Sequence, residues 1–341
     1  MLRATMTEPG RIEYSEVEKP ELERDDQVLV RMERIGVCGS DIHVYHGTHP
    51  YTGYPIVQGH EVSGVIEEAG AESGFDKGQK VTIQPQVVCG ECYHCLHGDY
   101  HICESLKVMG FQTDGCGQEY FRVDADKVLS LPEGMSLDAG ALIEPISVAV
   151  HALRRMGGAA GKKVVVLGAG TIGNLTAQCA RAMGADAVMA TDISDYKIEK
   201  AHECGIDPAV NTRTADLGEA IEEHFGPDRA DLIMECVGAQ ACIDQAIQYA
   251  RKGTTIGIVG VISKPPRVDL GWVQDHELSL VGSLMYKRED YEKAIELAAS
   301  GDMRLEAIVT HRYGFKDWLD AYKMIENSDG DYQKVMIDIA K

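Results

Sequence analysis

The sequence predicts a two-domain α/β protein, with a β-rich first domain followed by a doubly wound, six-stranded parallel sheet. Two observations predict this division. Short strand-like runs separated by glycines fill the first third of the chain. From residue 163 onward, strand-like and helix-like segments alternate, as they do in parallel sheets. A length of 341 residues allows each domain its own core.

Composition and charge exclude several classes of protein. The formal net charge of −21 argues against binding to nucleic acid or to an anionic membrane. The N-terminus lacks the apolar run of a signal peptide, and no segment approaches the ~18 apolar residues of a membrane span. We therefore expect a cytoplasmic protein, in which the clustered members of its ten cysteines indicate metal binding rather than disulfides.

Three residues near the start of the first domain have the chemistry of zinc ligands. Predicted strands at 14–17, 28–32, 62–66 and 80–84 surround Cys38, His60 and Glu61. A thiol, an imidazole and a carboxylate suit Zn²⁺ with one position left open. The alternative is a buried small thiol and a core imidazole.

A second cysteine group lies in the segment 89–103. Its spacing, Cys-x₂-Cys-x₂-Cys-x₇-Cys, predicts a closed tetrahedral site for a structural zinc, formed by Cys89, Cys92, Cys95 and Cys103. An iron–sulfur cluster or free thiols are the alternatives. Because four thiolates complete the shell, we expect His94, His97 and His101 to face solvent.

Glu144 stands in an apolar, helix-like stretch directly before Pro145. A carboxylate among hydrophobic residues needs a partner, because desolvating its charge is costly. It is either a helix N-terminal acid stabilised by the macrodipole or a residue beside the metal, as an outer partner or exchangeable ligand.

The second domain opens with a dinucleotide-binding pattern. An apolar strand at 163–167 runs into Gly-x-Gly-x-x-Gly and then a helix, with Gly168, Gly170, Thr171, Ile172 and Gly173 forming the turn. Asp192 ends the next strand, where a carboxylate holds the ribose hydroxyls and repels a 2′-phosphate. Only Lys197 offers a nearby positive charge. The pattern predicts NAD⁺ rather than NADP⁺.

Further strands are predicted at 208–212, 231–237, 254–259 and 277–281, which completes six. Two helix-like stretches and a last strand at 334–339 follow. We therefore assign residues 1–147 to the catalytic domain with its zinc lobe at 89–103, 148–282 to the nucleotide domain, and 283–341 to a segment that returns to the first domain.

The whole chain resembles the zinc-dependent medium-chain dehydrogenase/reductase family. The resemblance rests on the segment from Cys38 to His43, on Gly59-His60-Glu61, on the four-cysteine lobe, and on the glycine fingerprint with Asp192, all in family order. It implies a GroES-like, partly open β-barrel as catalytic domain, completed by the C-terminal segment, together with a Rossmann domain. It also implies a homodimer or homotetramer formed through Rossmann edge strands.

The surroundings of Glu144 are similar to those in the polyol branch of the family. That branch implies one catalytic zinc held by Cys38, His60 and Glu61, with Glu144 bound directly or through water. Sorbitol dehydrogenases carry an Arg-Tyr pair where this chain reads Leu284-Met285-Tyr286, which argues against sorbitol itself. Polyols, cyclitols, sugar acids and short diols stay open, and L-threonine 3-dehydrogenase and 2,3-butanediol dehydrogenase are alternative activities.

The resemblance implies oxidation of a secondary alcohol to a ketone, with a small-molecule alcohol as substrate. Ser40 would take the proton, His43 would relay it, and Asp41 would orient His60. The alternatives are a turn serine, a surface histidine and a capping aspartate. A different class of function is a nucleotide-binding redox sensor or scaffold, which would have lost at least one zinc ligand.

Overall fold

The computed structural model describes residues 1–339, which fold into two compact units. The first unit comprises residues 1–144 and 287–295 and the described chain from 309 onward, and the second comprises 145–286 and 296–308. The described residues of the segment assigned as 283–341 are thus divided between the units. Residues 296–308 belong to the second, where the Arg304 amide donates a hydrogen bond to Gln178 Oε1 at 2.7 Å.

The strands of the described chain are β1 (Leu2–Glu8), β2 (Arg11–Glu16), β3 (Gln27–Val37), β4 (Glu61–Ala69), β5 (Lys80–Ile83), β6 (Gln86–Val87), β7 (Lys107–Val108), β8 (Tyr120–Asp124), β9 (Val128–Ser130), β10 (Lys163–Leu167), β11 (Ala187–Asp192), β12 (Ala209–Asn211), β13 (Leu232–Glu235), β14 (Thr255–Ile258), β15 (Ser279–Gly282), β16 (Val309–Gly314) and β17 (Lys334–Asp338). The strands predicted from the sequence correspond to these within a few residues. Strand boundaries therefore follow the local apolar pattern.

The α-helices of residues 1–339 are α1 (Gly39–Tyr45), α2 (Tyr93–Leu96), α3 (Leu137–Arg155), α4 (Thr171–Ala182), α5 (Asp195–Glu203), α6 (Leu217–Phe225), α7 (Gln240–Tyr249), α8 (Leu270–Asp275), α9 (Arg288–Ala299) and α10 (Trp318–Asn327). Short 3₁₀ turns lie at Tyr100–Ile102, Ala125–Lys127, Leu305–Ile308 and Phe315–Asp317. Within the described part of the chain, no helix combines the length and apolar character needed to cross a bilayer.

β3 is the central strand of the first unit. Its sheet has the order β16-β17-β3-β4-β5-β9, and β8 also pairs with β3. β17 comes from the far end of the sequence and pairs with β3 antiparallel, with Met336 opposite Gly36. On the other side of β3, Gly36 lies opposite Glu61 of β4. Gly36 is therefore flanked by both neighbouring strands.

The core of the first unit mixes residues from both ends of the sequence. Val30, Ile35 and Val62 pack in one cluster with Trp318 and Tyr322 of α10. These large side chains are buried, so they contribute much of the apolar area removed from water. The chain from α10 onward is therefore an integral part of this unit.

The second unit is a parallel sheet of the order β12-β11-β10-β13-β14-β15. Every neighbouring pair in it is parallel. The predicted doubly wound, six-stranded sheet is confirmed for the described residues. Chain order reverses between β10 and β13, and ligands of such sheets bind at the carboxyl ends of the strands at this point.

Candidate metal centres and cofactor site

Cys38, His60 and Glu61 meet where β3 ends and β4 begins. Cys38 follows β3 and stands directly before α1, while His60 precedes Glu61, the first residue of β4. One potential ligand atom from each of the three lies within 4.8 Å of the others. Antiparallel pairing of β3 with β4 brings these residues together across the intervening loop.

His60 and Glu61 of this cluster are buried, Cys38 is half-buried, and acidic groups lie beside them. Glu61 and His60 are only 1% and 4% exposed, and Asp41 is fully buried. Burial alone would lower the pKa of His60, but Asp41, Cys38 and Glu144 outweigh it and raise this pKa to about 10. The surroundings of His60 therefore favour a positive charge at this point.

The donor set fits a zinc ion. His60 Nδ1 is buried and has no hydrogen-bond partner within residues 1–339. A thiol, an imidazole and a carboxylate are three ligands of the kind that leave a fourth position open in catalytic zinc sites. These residues therefore suit a resident zinc.

Asp41 lies between the start of α1 and the ring of His60. Its Oδ2 accepts a hydrogen bond from the Cys38 amide at 2.9 Å, which caps the start of α1. Its Oδ1 lies 3.7 Å from His60 Nδ1, beyond hydrogen-bond distance. Gln58 Nε2 approaches the same Oδ1 at 3.3 Å. The capping alternative is confirmed, and orientation of His60 by Asp41 stays a prediction.

Ser40, His43 and Glu144 occupy different environments near this cluster. Ser40 is half-buried in the first turn of α1, and His43 is exposed one turn later. Glu144 is 6% exposed and lies seven residues after the start of α3 at Leu137. A position about two turns inside the helix excludes the N-terminal acid alternative, because the macrodipole acts within the first turn.

Lys334 is a neighbour of Glu61 that the sequence did not reveal. Its Nζ lies 2.5 Å from Glu61 Oε2 and donates to the Val37 carbonyl at 3.0 Å. Burial would lower the pKa of Lys334, but Glu61 and Cys38 reverse this effect and raise it. A lysine before an apolar strand looks like a surface residue, so no local signal marked this pair.

The four cysteines of the lobe also converge. Their ligand atoms lie within 4.8 Å of one another, and Cys103 Sγ is 3.5 Å from Cys89 Sγ. The Cys89–Cys95 and Cys92–Cys103 sulfur pairs are each 3.9 Å apart. Tetrahedral Zn–S bonds of about 2.3 Å require sulfur separations of about 3.8 Å. The lobe therefore fits a structural zinc.

The prediction that His94, His97 and His101 all face solvent is wrong for His101. His97 is exposed and His94 is half-buried, but His101 is only 3% exposed. The reason is tertiary: the Arg288 amide donates to the Tyr100 hydroxyl at 2.6 Å, and Lys287 pairs with Asp99 at 2.7 Å. The returning segment thus covers the turn that carries His101.

The glycine fingerprint has the expected strand–turn–helix geometry. Gly168 follows β10 with a φ of +93°, and Gly170 caps α4, whose first residues are Thr171, Ile172 and Gly173. A Cβ on Gly173 would overlap the Gly168 carbonyl, so this helix packs against the turn only with glycine there. The N-terminus of α4 is therefore suited to a pyrophosphate.

Asp192 ends β11 beside this turn. Its Oδ2 accepts from the Ala169 amide at 2.8 Å, and its Oδ1 accepts from the Ile193 and Ser194 amides. These bonds fix the carboxylate against the glycine turn. Lys197, in the first turn of α5, has its Nζ 6.0 Å from the ring centroid of Tyr196.

Comparisons with known proteins agree with this geometry. Residues 24–133 match the alcohol dehydrogenase GroES-like domain, and residues 171–300 match the zinc-binding dehydrogenase family. The chain is 38% identical to a 2-dehydro-3-deoxy-L-galactonate 5-dehydrogenase from Pseudoalteromonas atlantica over 88% of this chain and 87% of that protein. It is 34% identical to a sorbitol dehydrogenase from Halalkalibacterium halodurans, covering 97% of each.

A solved structure extends the likeness to the fold. The structure of galactitol-1-phosphate dehydrogenase from Escherichia coli matches with a TM-score of 0.91 and 30% identity, over 99% of this chain and all of that one. Both family models and these relatives thus agree with the two folds described above and with zinc binding. The chain belongs to the zinc-dependent medium-chain alcohol dehydrogenases, in their polyol-type branch, which are oxidoreductases acting on CH–OH groups.

Proposed function

We propose that this protein oxidises a secondary alcohol of a polyol, cyclitol or sugar acid to the ketone, with NAD⁺ as hydride acceptor. The observation that carries the proposal is the cluster of the half-buried Cys38 with the buried His60 and Glu61, a three-ligand donor set that suits a catalytic zinc. A second zinc in the lobe would be structural, because four thiolates leave no position for substrate.

Zinc in such a site supplies positive charge that lowers the pKa of an alcohol and stabilises its oxygen as the proton leaves. Ser40 accepts that proton, and His43 passes it toward solvent. Their positions support these roles, because Ser40 is half-buried two residues from Cys38 and His43 is exposed one turn further along α1. Bound NAD⁺ would supply the hydride acceptor, so that the substrate would lose two electrons and two hydrogens, one as hydride and one as the proton taken by Ser40.

NAD⁺ is favoured over NADP⁺ by the carboxylate at the end of β11. Asp192 is fixed against the glycine turn by the Ala169 amide and would repel a 2′-phosphate. We expect Asp192→Ala to weaken NAD⁺ binding by about 10-fold, the loss of one hydrogen bond to a charged group, and to reduce the preference over NADP⁺. Steady-state KM values for both cofactors measure this; an unchanged ratio would contradict the assignment.

The proposed substrate class rests on the names of the relatives and on one position at which this chain differs from sorbitol dehydrogenases. The relative named for 2-dehydro-3-deoxy-L-galactonate supports the sugar-acid part of the class. This chain reads Leu284-Met285-Tyr286 where sorbitol dehydrogenases carry an Arg-Tyr pair, so the arginine is missing and sorbitol is disfavoured. Tyr286 is fully buried, which favours aromatic packing over contact with substrate.

The test is an NADH-formation screen over aldonates, inositols, acyclic polyols, 2,3-butanediol and L-threonine, with zinc content measured on the same preparation. We expect two zinc ions per chain and turnover with a polyhydroxy substrate. Fastest turnover with L-threonine or butanediol would select those alternative activities. A single zinc with no turnover would instead support the non-catalytic redox sensor or scaffold.

We also propose a homodimer or homotetramer acting in the cytoplasm. β15 is an edge strand of the second unit, and its Leu280 is 37% exposed. Leu270 and Trp272 of α8, the helix before β15 in the chain, are exposed by 68% and 42%. An apolar sheet edge of this kind supports pairing with a second copy. None of the ten cysteines, all of which lie in the described part of the chain, forms a disulfide, which supports a reducing compartment. Sedimentation of the purified protein measures the oligomeric state.

A further inference from the structure

Lys334 is a buried cation beside the proposed zinc ligands. Its side chain is 3% exposed, and its Nζ lies 2.5 Å from Glu61 Oε2 and 3.0 Å from the Val37 carbonyl. Lysine is rarely buried so completely unless it is paired, because removing an ammonium from water is costly. Lys334 is the first residue of β17, and its ion pair with Glu61 offsets the cost of burying its charge there.

The contacts of Lys334 reach both segments that carry the proposed ligands. Val37 immediately precedes Cys38, and Glu61 immediately follows His60. One ammonium thus links the end of β3 to the start of β4 from the neighbouring strand β17. A cation held in this way fixes the two segments relative to each other.

Gly36 makes room for this arrangement. It lies on β3 between β17 and β4, and a Cβ on it would overlap Glu61 Oε2. The space left by the missing side chain is where the Glu61 carboxylate lies. The bare backbone at Gly36 and the ammonium of Lys334 together determine the position of that carboxylate.

We propose that Lys334 is a positioning residue for the catalytic zinc, which acts by holding Glu61 through Oε2 so that the carboxylate stays in place as a ligand. This inference rests on the proposed function, because it assumes that Glu61 is a ligand. Outer partners that orient ligands change metal affinity by about 10- to 100-fold when they are removed. Lys334 therefore strengthens zinc binding without touching the metal.

An ammonium near a metal ion also repels it, so Lys334 could instead weaken zinc binding. If repulsion dominated, removing the charge would tighten zinc binding. We expect the reverse, since without Lys334 the Glu61 carboxylate loses its only charged partner that contacts it directly in the described chain and is free to leave its place. The direction of the affinity change therefore decides between the two effects.

The experiment compares wild type with K334M, in which an unbranched, uncharged side chain replaces the lysine. Competition against a chromophoric chelator gives the affinity of the Cys38-site zinc, with the lobe zinc as internal reference. We expect K334M to bind zinc at the Cys38 site about 10- to 100-fold more weakly, and to bind the lobe zinc as tightly as wild type does. K334R, which keeps the charge, should recover part of the loss.

The matched control is K80M, because Lys80 lies in the same sheet and its Nζ also donates to a carbonyl, that of Met135 at 2.9 Å. It should leave both zinc affinities unchanged.

A double variant, E61Q/K334M, separates positioning from packing. If Lys334 acts through Glu61, then K334M should weaken zinc binding little further in a chain that already carries E61Q. Full additivity would overturn the proposal.

Folding is checked by thermal unfolding and by retention of the lobe zinc. Should K334M not fold, K334Q replaces it, because its uncharged amide can still donate to the Val37 carbonyl. Equal or tighter zinc binding in the variant would overturn this inference alone. A wild-type chain that holds only the lobe zinc would overturn the proposed metal centre, and the inference with it.

Discussion

The two metal clusters of the first unit differ in how their ligands are brought together. The four thiols of the lobe lie within the short span 89–103, and Cys89 is exposed. Cys38, His60 and Glu61 come from the ends of two strands, and Glu61 pairs with Lys334, 273 residues away. Ligands that are close together in the chain form the closed four-thiolate shell, which suits a structural zinc. Ligands that are brought together by folding of the whole unit form the largely buried three-ligand site, which suits a catalytic zinc.

The largest expected effect comes from removing a ligand of the buried site. Cys38→Ala should reduce zinc from two ions to one per chain and lower turnover by on the order of 10³-fold, since the metal supplies several kcal/mol of charge stabilisation. NADH binding, measured by fluorescence, should survive. Cys116→Ala, in a buried cysteine of the same core, is the control. Normal turnover in Cys38→Ala would refute a zinc mechanism.

A smaller effect on turnover is expected from substituting Ser40, and this substitution distinguishes a loss of proton transfer from a loss of zinc binding. Ser40→Ala should lower turnover by about 10²-fold, the usual contribution of general acid–base catalysis, with both zinc ions retained. Steady-state rates and zinc analysis on one preparation measure this. Unchanged turnover would reduce Ser40 to a turn residue and leave the buried cluster without a proton acceptor in α1.

Gly36 tests whether the buried site depends on strand geometry. Gly36→Ala places a methyl group where Glu61 Oε2 lies, so zinc at the Cys38 site should bind about tenfold more weakly while the lobe is unaffected. Gly39→Ala is a matched control, because a Cβ there meets nothing within 4 Å. Chelator competition measures both sites. Equal zinc loss in both variants would point to general destabilisation instead.

The smallest effect on turnover is expected from the lobe. Cys92→Ser opens the four-thiolate shell, so the thermal midpoint should fall by roughly 5–10 °C, as for a loss of a few kcal/mol in a chain of this size. Turnover of the folded fraction should stay within about twofold of wild type. Scanning calorimetry and rates at low temperature measure the two. A collapse of turnover in folded protein would show that the lobe is not merely structural.

Much of the molecule follows from local sequence patterns. The six-stranded sheet was predictable because each strand–helix repeat carries its own apolar period, and the turn at Gly168 needs a positive φ that glycine readily supplies. The lobe was predictable because closely spaced cysteines can meet without help from distant residues. The carboxylate of Asp192 was predictable from its place at the end of β11.

Other features depend on contacts between distant residues. His101 was expected to face solvent, but it is buried in a turn whose residues Asp99 and Tyr100 are bound by Lys287 and Arg288. Glu144 had two possible environments, and its depth within α3 excludes one of them. Neither outcome has a local signal, because burial by a remote segment leaves no trace in the spacing of nearby residues.

The sequence by itself determined the chemical types of the proposed ligands, the glycine turn and the order of the elements, since these depend on residues close together in the chain. Only the tertiary structure decided that β17 lies beside β3, and therefore that Lys334 faces Glu61 across Gly36. Pairing between strands so far apart is set by the packing of the whole core. The contact of Lys334 with the proposed ligand Glu61 could therefore not be predicted from the sequence alone.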